Sequence, residues 1–443
     1  MNLTNKSRVL FCVLSLCFLA SCVSSDVTGL LRAPRLSDEQ RAIYDALSAN
    51  TDGVFTLKYP RSGDYRSAFL IQDIDGDPET EALAFIEVQG EDGARLLTLS
   101  VLDRDGEGNW RNTDDFTLGG TDVDSVYFST LSGGRTVFAV TSVLSSDERN
   151  ASVFRYRGGE LHSLLSRTFS YIGVGDFFGT GGEQLLLVRC DSAAKQSWAE
   201  FYVQSGTGLE MWANVSIDSY ADEITDVTVG KLNDVTTGTM VTFRREATDV
   251  YGTDVLVRTD KGIVNVCYHT QNAALTIRRV NNLTELSNPL DINNDGIIEL
   301  TGTVDFPGYE NIDPSQRLRM TVWRGFSMSR FTEKYYGYYA ASQGYVFFIP
   351  PRWQGNVTAR LTDNGTSIEF LKAKRIDEAN DVVLKIIVQP SGSPLSDELP
   401  DDAFFLGENK TLKKSYYAVT PNHKLPLALT ETELKNAFKT LEQ

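Results

Sequence analysis

The chain has 443 residues and a formal net charge of −17, with 41% apolar and 10% aromatic residues. That length and apolar content support two or three domains with sizeable cores. The acidity sets the folded part against nucleic acid and anionic lipid headgroups as partners, and it fits either a solvated extracellular surface or cation binding.

Residues 1–21 carry Lys6 and Arg8 and no acid. The apolar run from Val9 to Ala20 is far shorter than the roughly 20 residues a spanning helix needs. A basic start, a short apolar middle and small residues before a cut site describe an export signal. The ending Leu19-Ala20-Ser21-Cys22 resembles the lipobox of bacterial lipoproteins. The resemblance implies a signal peptide at 1–21, cleavage before Cys22 and a diacylglyceryl group on its thiol. It also implies a membrane partner through that anchor, on the outer side of the cytoplasmic membrane or at the cell surface. Two acyl chains hold a protein stably where one is marginal.

Cys12 and Cys17 leave with the signal, so Cys190 and Cys267 remain, both in apolar, strand-like contexts. Either a disulfide between them or two separate buried thiols suits an exported protein. No Cys-x-x-Cys occurs, and His162, His269 and His423 are far apart, which argues against zinc.

A polar tether, Val23 to Pro34, precedes Ser37-Asp38-Glu39-Gln40, a capping box that opens a short helix with Ile43, Tyr44 and Leu47 on one face. Residues 22–53 are therefore read as lipidated tether and helix. From residue 54 the pattern becomes short strands with turns, and a repeat appears. Its clearest copies are Ala68-Phe-Leu-Ile-Gln-Asp73-Ile-Asp75-Gly-Asp77-Pro-Glu79-Thr-Glu81 and Asn288-Pro-Leu-Asp291-Ile-Asn293-Asn-Asp295-Gly-Ile297-Ile-Glu299. Weaker copies lie at 126–140, at 171–188 around Asp176 and Glu183, and at 227–243 around Asn233. Each reads strand, Gly/Asp/Asn turn, strand, with two further strand signals behind, such as Leu96–Leu102 and Trp110–Leu118. The copies recur at roughly 50–60 residues, the period of a four-stranded propeller blade with generous loops.

These turns resemble FG-GAP or VCBS-type repeats, the blades of integrin-like propellers and of many bacterial surface proteins. The resemblance covers about residues 54–340. It implies a mainly β fold: a β-propeller of about five four-stranded blades over 54–340, followed by a small α+β domain at 341–443. In the latter, six strand signals lead to Thr430-Glu431-Thr432-Glu433, which caps a last helix.

The Asp-rich turns are the candidate site. Ca2+ takes six to eight oxygens from a loop that curls around it. In the family the side chains at positions 1, 3, 5 and 9 and the carbonyl at 7 supply them. Here these are Asp291, Asn293, Asp295 and Glu299 with the Ile297 carbonyl, and Asp73, Asp75, Asp77 and Glu81 with the Glu79 carbonyl. Gly296 suits the bend, whereas Pro78 takes its place in the first copy and cannot adopt a left-handed φ, so the turn at 291–299 is the better calcium candidate. In the Asp176 copy Phe178 and Thr180 stand at positions 3 and 5, and no metal is expected. Calcium in these turns would be structural. Tyr335, Tyr336, Tyr338, Tyr339, Tyr345, Phe347, Phe348 and Trp353 form an aromatic cluster read as core in preference to a ligand platform.

No Gly-x-Ser-x-Gly elbow, His-Glu-x-x-His, P-loop or dinucleotide fingerprint is present, and no catalytic residue is assigned. The reading is a non-enzymatic cell-surface lipoprotein that binds an extracellular protein or glycan or scaffolds the envelope. The alternative is an extracellular hydrolase or lyase acting on glycans, since acid pairs are plentiful and a fold does not decide function.

Overall fold

The computed structural model describes residues 36–441 apart from 52–53, 92, 132–135, 207, 249, 268–278, 281–287, 328–329, 373–380, 393–398 and 401–402. Cys22, the signal and the tether lie outside the described residues. The protein is mainly β, built of antiparallel sheets of four or five strands that follow one another along the chain. Two compact units result. One takes residues up to 125 together with 156–161, and the other takes 126–155 and residues from 162 onward.

The first unit opens with the helix Asp38–Asn50. Its capping box forms as expected, Ser37 Oγ accepting from Gln40 N–H and the Gln40 side chain accepting from Ser37 N–H. Ile43 and Leu47 leave solvent completely and pack with Phe69, Ala82, Ala84, Ile86, Leu102 and Trp110. The sheet behind them contains the strands Thr56–Lys58, Phe69–Gln72, Glu81–Gln89, Arg95–Arg104 and Trp110–Leu118. The first two pair with successive halves of Glu81–Gln89.

Strands Asp122–Ser129, Val137–Val143, Arg149–Arg157 and Glu160–Phe169 form the next sheet, in chain order. Gly158 and Gly159 both take positive φ at the hairpin between the last two. A type I′ turn, one of the two whose twist matches its strands, requires that conformation at both positions. The third sheet is Tyr171–Gly175, Gln184–Asp191, Gln196–Ser205 and Gly208–Ser216. The fourth is Glu223–Lys231, Thr237–Arg245, Val250–Thr259 and Gly262–Asn265, with Arg279–Val280 added.

One grammar governs these sheets. The second strands, Val137–Val143, Gln184–Asp191 and Thr237–Arg245, are almost wholly buried. That is why they read as apolar runs with no alternation, the pattern of strands covered on both faces. The outer strands Glu160–Phe169 and Gly208–Ser216 are largely half-buried or exposed and polar, as edge strands are when they resist pairing with other chains.

Within the second unit each sheet packs on the next. Leu131, Val137, Ala139, Ala151 and Val153 meet Leu185, Leu187 and Tyr202. Phe177, Leu186, Val188 and Phe201 meet Val241 and Leu256. Met240, Val255 and Val257 meet Leu300, Phe326 and Phe331. Each fully buried Leu or Phe contributes about 2 kcal/mol, and the contribution exists only while the neighbouring sheet is in place.

The fifth sheet holds Leu300–Asp305, Arg319–Ser327, Arg330–Ala340, Tyr345–Phe348 and the C-terminal Phe438–Thr440. The expected division at 340/341 therefore falls inside a sheet. The physical reason is the aromatic run: Tyr345, Phe347 and Trp353 are at most 1% exposed and share a core with Phe306, Phe370, Ile386, Tyr416 and Phe438. That core joins the fifth sheet to the sixth, which runs Val357–Thr362, Ser367–Lys372, Asp381–Pro390, Lys414–Val419, Phe404–Asn409. The helix Glu431–Ala437 starts at the expected Thr430/Glu433 capping box. No helix among the described residues is long and apolar enough to cross a membrane.

Candidate cation-binding turns

Three turns share one backbone device. The residue before each turn pairs with the first residue after it: Gln72 with Glu81, Gly175 with Gln184, and Leu290 with Glu299. In each, the long side chain that closes the turn is buried, at 1%, 2% and 0% exposure. That side chain accepts the N–H of the turn's second residue. Ile74 donates to Glu81 Oε2 at 2.8 Å, Phe177 to Gln184 Oε1 at 3.0 Å and Ile292 to Glu299 Oε2 at 3.4 Å. In the turn that starts at Asp176 the closing side chain is Gln184, one residue beyond the Glu183 of the sequence reading.

The turns differ in what faces the other atom of that buried side chain. In the turn at 176–184 it is an amide nitrogen, which donates to the Gly182 carbonyl. The turn needs no cation. Asp176 is filled as well, by the N–H groups of Thr180 at 2.8 Å and Gly181 at 2.7 Å. Against the raising effect of burial, those bonds hold its carboxyl below the usual range.

At 291–299 the partner is a lysine. Lys334 Nζ lies 3.1 Å from Glu299 Oε1 and 4.0 Å from Asp295 Oδ2. Asp291 is engaged by two backbone donors, Asp295 N–H at 3.0 Å and Gly296 N–H at 2.7 Å. Asn293 turns its amide nitrogen to Asp295 at 2.8 Å and to the Tyr335 hydroxyl at 3.1 Å. Ile297 contributes an N–H bond to Asp295 at 2.8 Å. The Asn293 bond holds Asp295 below the usual carboxylate range. Burial raises Glu299, while Lys334 opposes the rise. The residues expected as ligands are together, but their charge is already met by an ammonium, so this turn does not fit a calcium ion.

At 73–81 neither amide nor lysine is present. One oxygen from each of Asp73, Asp75 and Glu81 lies within 4.8 Å of the others, the one such group of His, Cys, Asp or Glu among the described residues. Glu81 Oε1 is buried and has no hydrogen-bond partner among the described residues. Burial pushes the Glu81 carboxyl up to about 7, and the carboxylates of Asp75, Asp103 and Asp77 add to the rise. Burial raises Asp75 too. Pro78 has no N–H and Asp77 N–H goes to Asp75 at 3.1 Å, so among the described residues Asp73 accepts from Gly76 alone, at 2.7 Å. Gly76 supplies the left-handed residue, at φ +91°. Asp77 is spent capping Glu79 N–H at 2.7 Å and stands outside the oxygen cluster. An orphaned buried carboxylate oxygen among like charges is what a hard cation relieves. The residues of this turn fit a hard cation, whereas at 291–299 Lys334 meets the corresponding carboxylate.

A cavity of about 400 Å³ lies beside turn 291–299, lined by Asp291, Tyr339, Gly344, Leu412, Lys439 and Leu441 among others. Lys439 Nζ donates into the turn at the Ile292 carbonyl, at 2.8 Å. Cys190 and Cys267 are free thiols. Burial pushes Cys190 up to about 11 and raises Cys267 further.

No family model and no curated protein matches the chain. Among solved structures it is similar to a rhamnogalacturonan lyase at 12% identity and a TM-score of 0.23, covering 63% of this chain and 63% of that one. It is similar also to an exotype rhamnogalacturonan lyase, at 12% identity and a TM-score of 0.24, over 72% of this chain and 61% of that one. An endo-arabinase from Bacteroides thetaiotaomicron matches at 12% identity and 0.23, over 63% of this chain and 96% of that one. The chain spans less than two thirds of the length of either lyase. Likenesses this distant carry no argument about chemistry.

Proposed function

We propose that the chain is a non-enzymatic lipoprotein of the bacterial envelope, anchored through a diacylated Cys22. In this reading its sheets are FG-GAP-like blades of a β-propeller. The propeller binds an extracellular protein or glycan, or scaffolds the envelope, with Ca2+ as a structural staple in the turn at 73–81. The observation that carries the reading is the succession of antiparallel sheets, each packed on the next in chain order through the second unit, with a shared turn device in three of them. Sheets covered only by their neighbours are the construction principle of propellers. Asp73, Asp75 and Glu81 would hold the ion, which supplies charge neutralisation and ties two strands together.

Two arms test the proposal on the full chain. Cys22→Ala is expected to release the protein from membranes or leave it unprocessed. Palmitate labelling that persists in the variant would overturn the anchor. A pull-down from native envelopes is expected to recover a protein or glycan partner. Release of soluble sugar products from envelope glycans by the purified protein would overturn the non-enzymatic reading in favour of a hydrolase or lyase.

A further inference from the structure

We infer that Lys334 is a built-in cation for the turn at 291–299, so that this turn is closed to divalent metal and opens to it only when the lysine charge is removed. The inference stands whether or not turn 73–81 takes calcium.

Three independent features of the fold place the ammonium. The first is a β-bulge. Trp323 pairs with Tyr335 and Arg324 with Glu333, so Lys334 is the extra residue between two registered pairs. An inserted residue re-aims its side chain relative to the regular alternation of the strand. The second is Gly325. A Cβ built there would lie 2.6 Å from Lys334 Cε and 2.8 Å from Lys334 Cδ. The aliphatic stem thus lies where any other residue on the facing strand would put a side chain. The third is the target: the Glu299 side chain is fully buried and Lys334 reaches it at 3.1 Å, with Asp295 at 4.0 Å.

The electrostatics then exclude a second cation. A divalent ion between Glu299 and Asp295 would sit within a few ångströms of the ammonium, where like charges repel strongly in a partly dry site. Without an ion in the turn, Lys334 cannot leave the buried Glu299 carboxylate except at high cost, so an entering ion has to displace a charge partner already held in place. Backbone N–H groups also hold the loop as it stands, two on Asp291 and that of Asp295 on Asn293 Oδ1 at 3.2 Å. A tethered ammonium also does the ion's structural work at any calcium concentration, because its binding is intramolecular.

The test is calcium titration of the full chain by isothermal calorimetry, in an Asp75→Asn background that removes the first turn. With Lys334 present, no ion is expected to depend on Glu299: adding Glu299→Gln leaves the stoichiometry unchanged. Lys334→Met is expected to gain one further ion, with a dissociation constant of about 10⁻⁴–10⁻³ M, the range of extracellular calcium modules. Asp291→Asn added to Lys334→Met should remove it. If Lys334→Met folds only in calcium, that is the same result read as stability, and Lys334→Met with Glu299→Gln should then fold in chelator. A calcium ion lost on Glu299→Gln while Lys334 is intact would overturn the inference, as would a folded Lys334→Met that gains none.

Discussion

The turns at 73–81 and 291–299 are the two closest copies of one motif, and they handle the same buried carboxylate in opposite ways. Glu299 meets a lysine delivered from a strand 35 residues further along the chain. Glu81 meets no hydrogen-bond partner among the described residues at its second oxygen. The turn at 176–184 adds a third solution, a glutamine that carries both donor and acceptor. The comparison teaches that the repeat conserves a backbone hook, while the charge on that hook is answered separately in each copy: by a neutral side chain, by an internal cation, or by a cation from solution.

The largest expected effect comes from pH. Because the folded-state carboxyl of Glu81 is raised from the ordinary 4.5 to about 7, the folded protein without metal keeps a proton that the unfolded chain has lost in that window. Stability in chelator should therefore fall as pH rises from about 4.5 to about 7, by up to about 3 kcal/mol at 1.36 kcal/mol per unit. Asp254, fully buried and also raised to about 7, adds a fall of the same sign. The readout is thus the difference between wild type and Glu81→Gln in urea titrations. Equal pH slopes would show that Glu81 is not held protonated. Glu299 adds a fall of the same sign, because burial raises its carboxyl too, with Lys334 opposing the rise.

Calcium should act next in size. An ion that binds only the folded state stabilises it by about 2.7 kcal/mol at a hundredfold excess over its dissociation constant. The rise in melting temperature should vanish in Asp75→Asn and persist in Asp291→Asn. Persistence in Asp75→Asn would move the site elsewhere.

Much of this contrast was legible in the sequence, and its decisive part was not. The strands Trp110–Leu118, Val357–Thr362 and Lys414–Val419 and both capping boxes follow from apolar runs and local side-chain chemistry, which a sequence displays directly. The turns were legible because Asp, Asn and Gly make turns for local reasons. Which turn suits an ion was not, because the answer lies with Lys334, a residue of a Tyr-rich strand with no sequence spacing to Glu299 that marks it. Pro78 misled for a related reason. Its fixed negative φ counts, on the sequence alone, against the bend. In the fold the left-handed residue is Gly76, and the missing donor leaves Asp73 less engaged than Asp291. Of the aromatic run, Tyr345, Phe347 and Trp353 are core, while Tyr335, Tyr336, Tyr338, Tyr339 and Phe348 are half-buried. The loss of repeat period at 340 was read as a boundary, but a strand that continues a sheet with a changed turn erases the period without ending the sheet.

The smallest effect should come from Pro78→Gly, which gives the first turn the glycine of the second. A compatible proline stabilises through the unfolded chain by about 0.4–1 kcal/mol, so the variant should lose about that much in chelator. The new N–H can reach Asp73 as Gly296 reaches Asp291, and calcium affinity should weaken. A tighter calcium site in Pro78→Gly would show that the proline hinders the ion after all.

The most direct measurement is anomalous scattering from crystals of the full chain grown with a calcium-substituting lanthanide. The account predicts a peak within coordination distance of Asp73, Asp75 and Glu81, and none between Asp291 and Glu299, where Lys334 Nζ should stand in density against Glu299. A peak at 291–299 with Lys334 turned away, or no peak at 73–81, would contradict it.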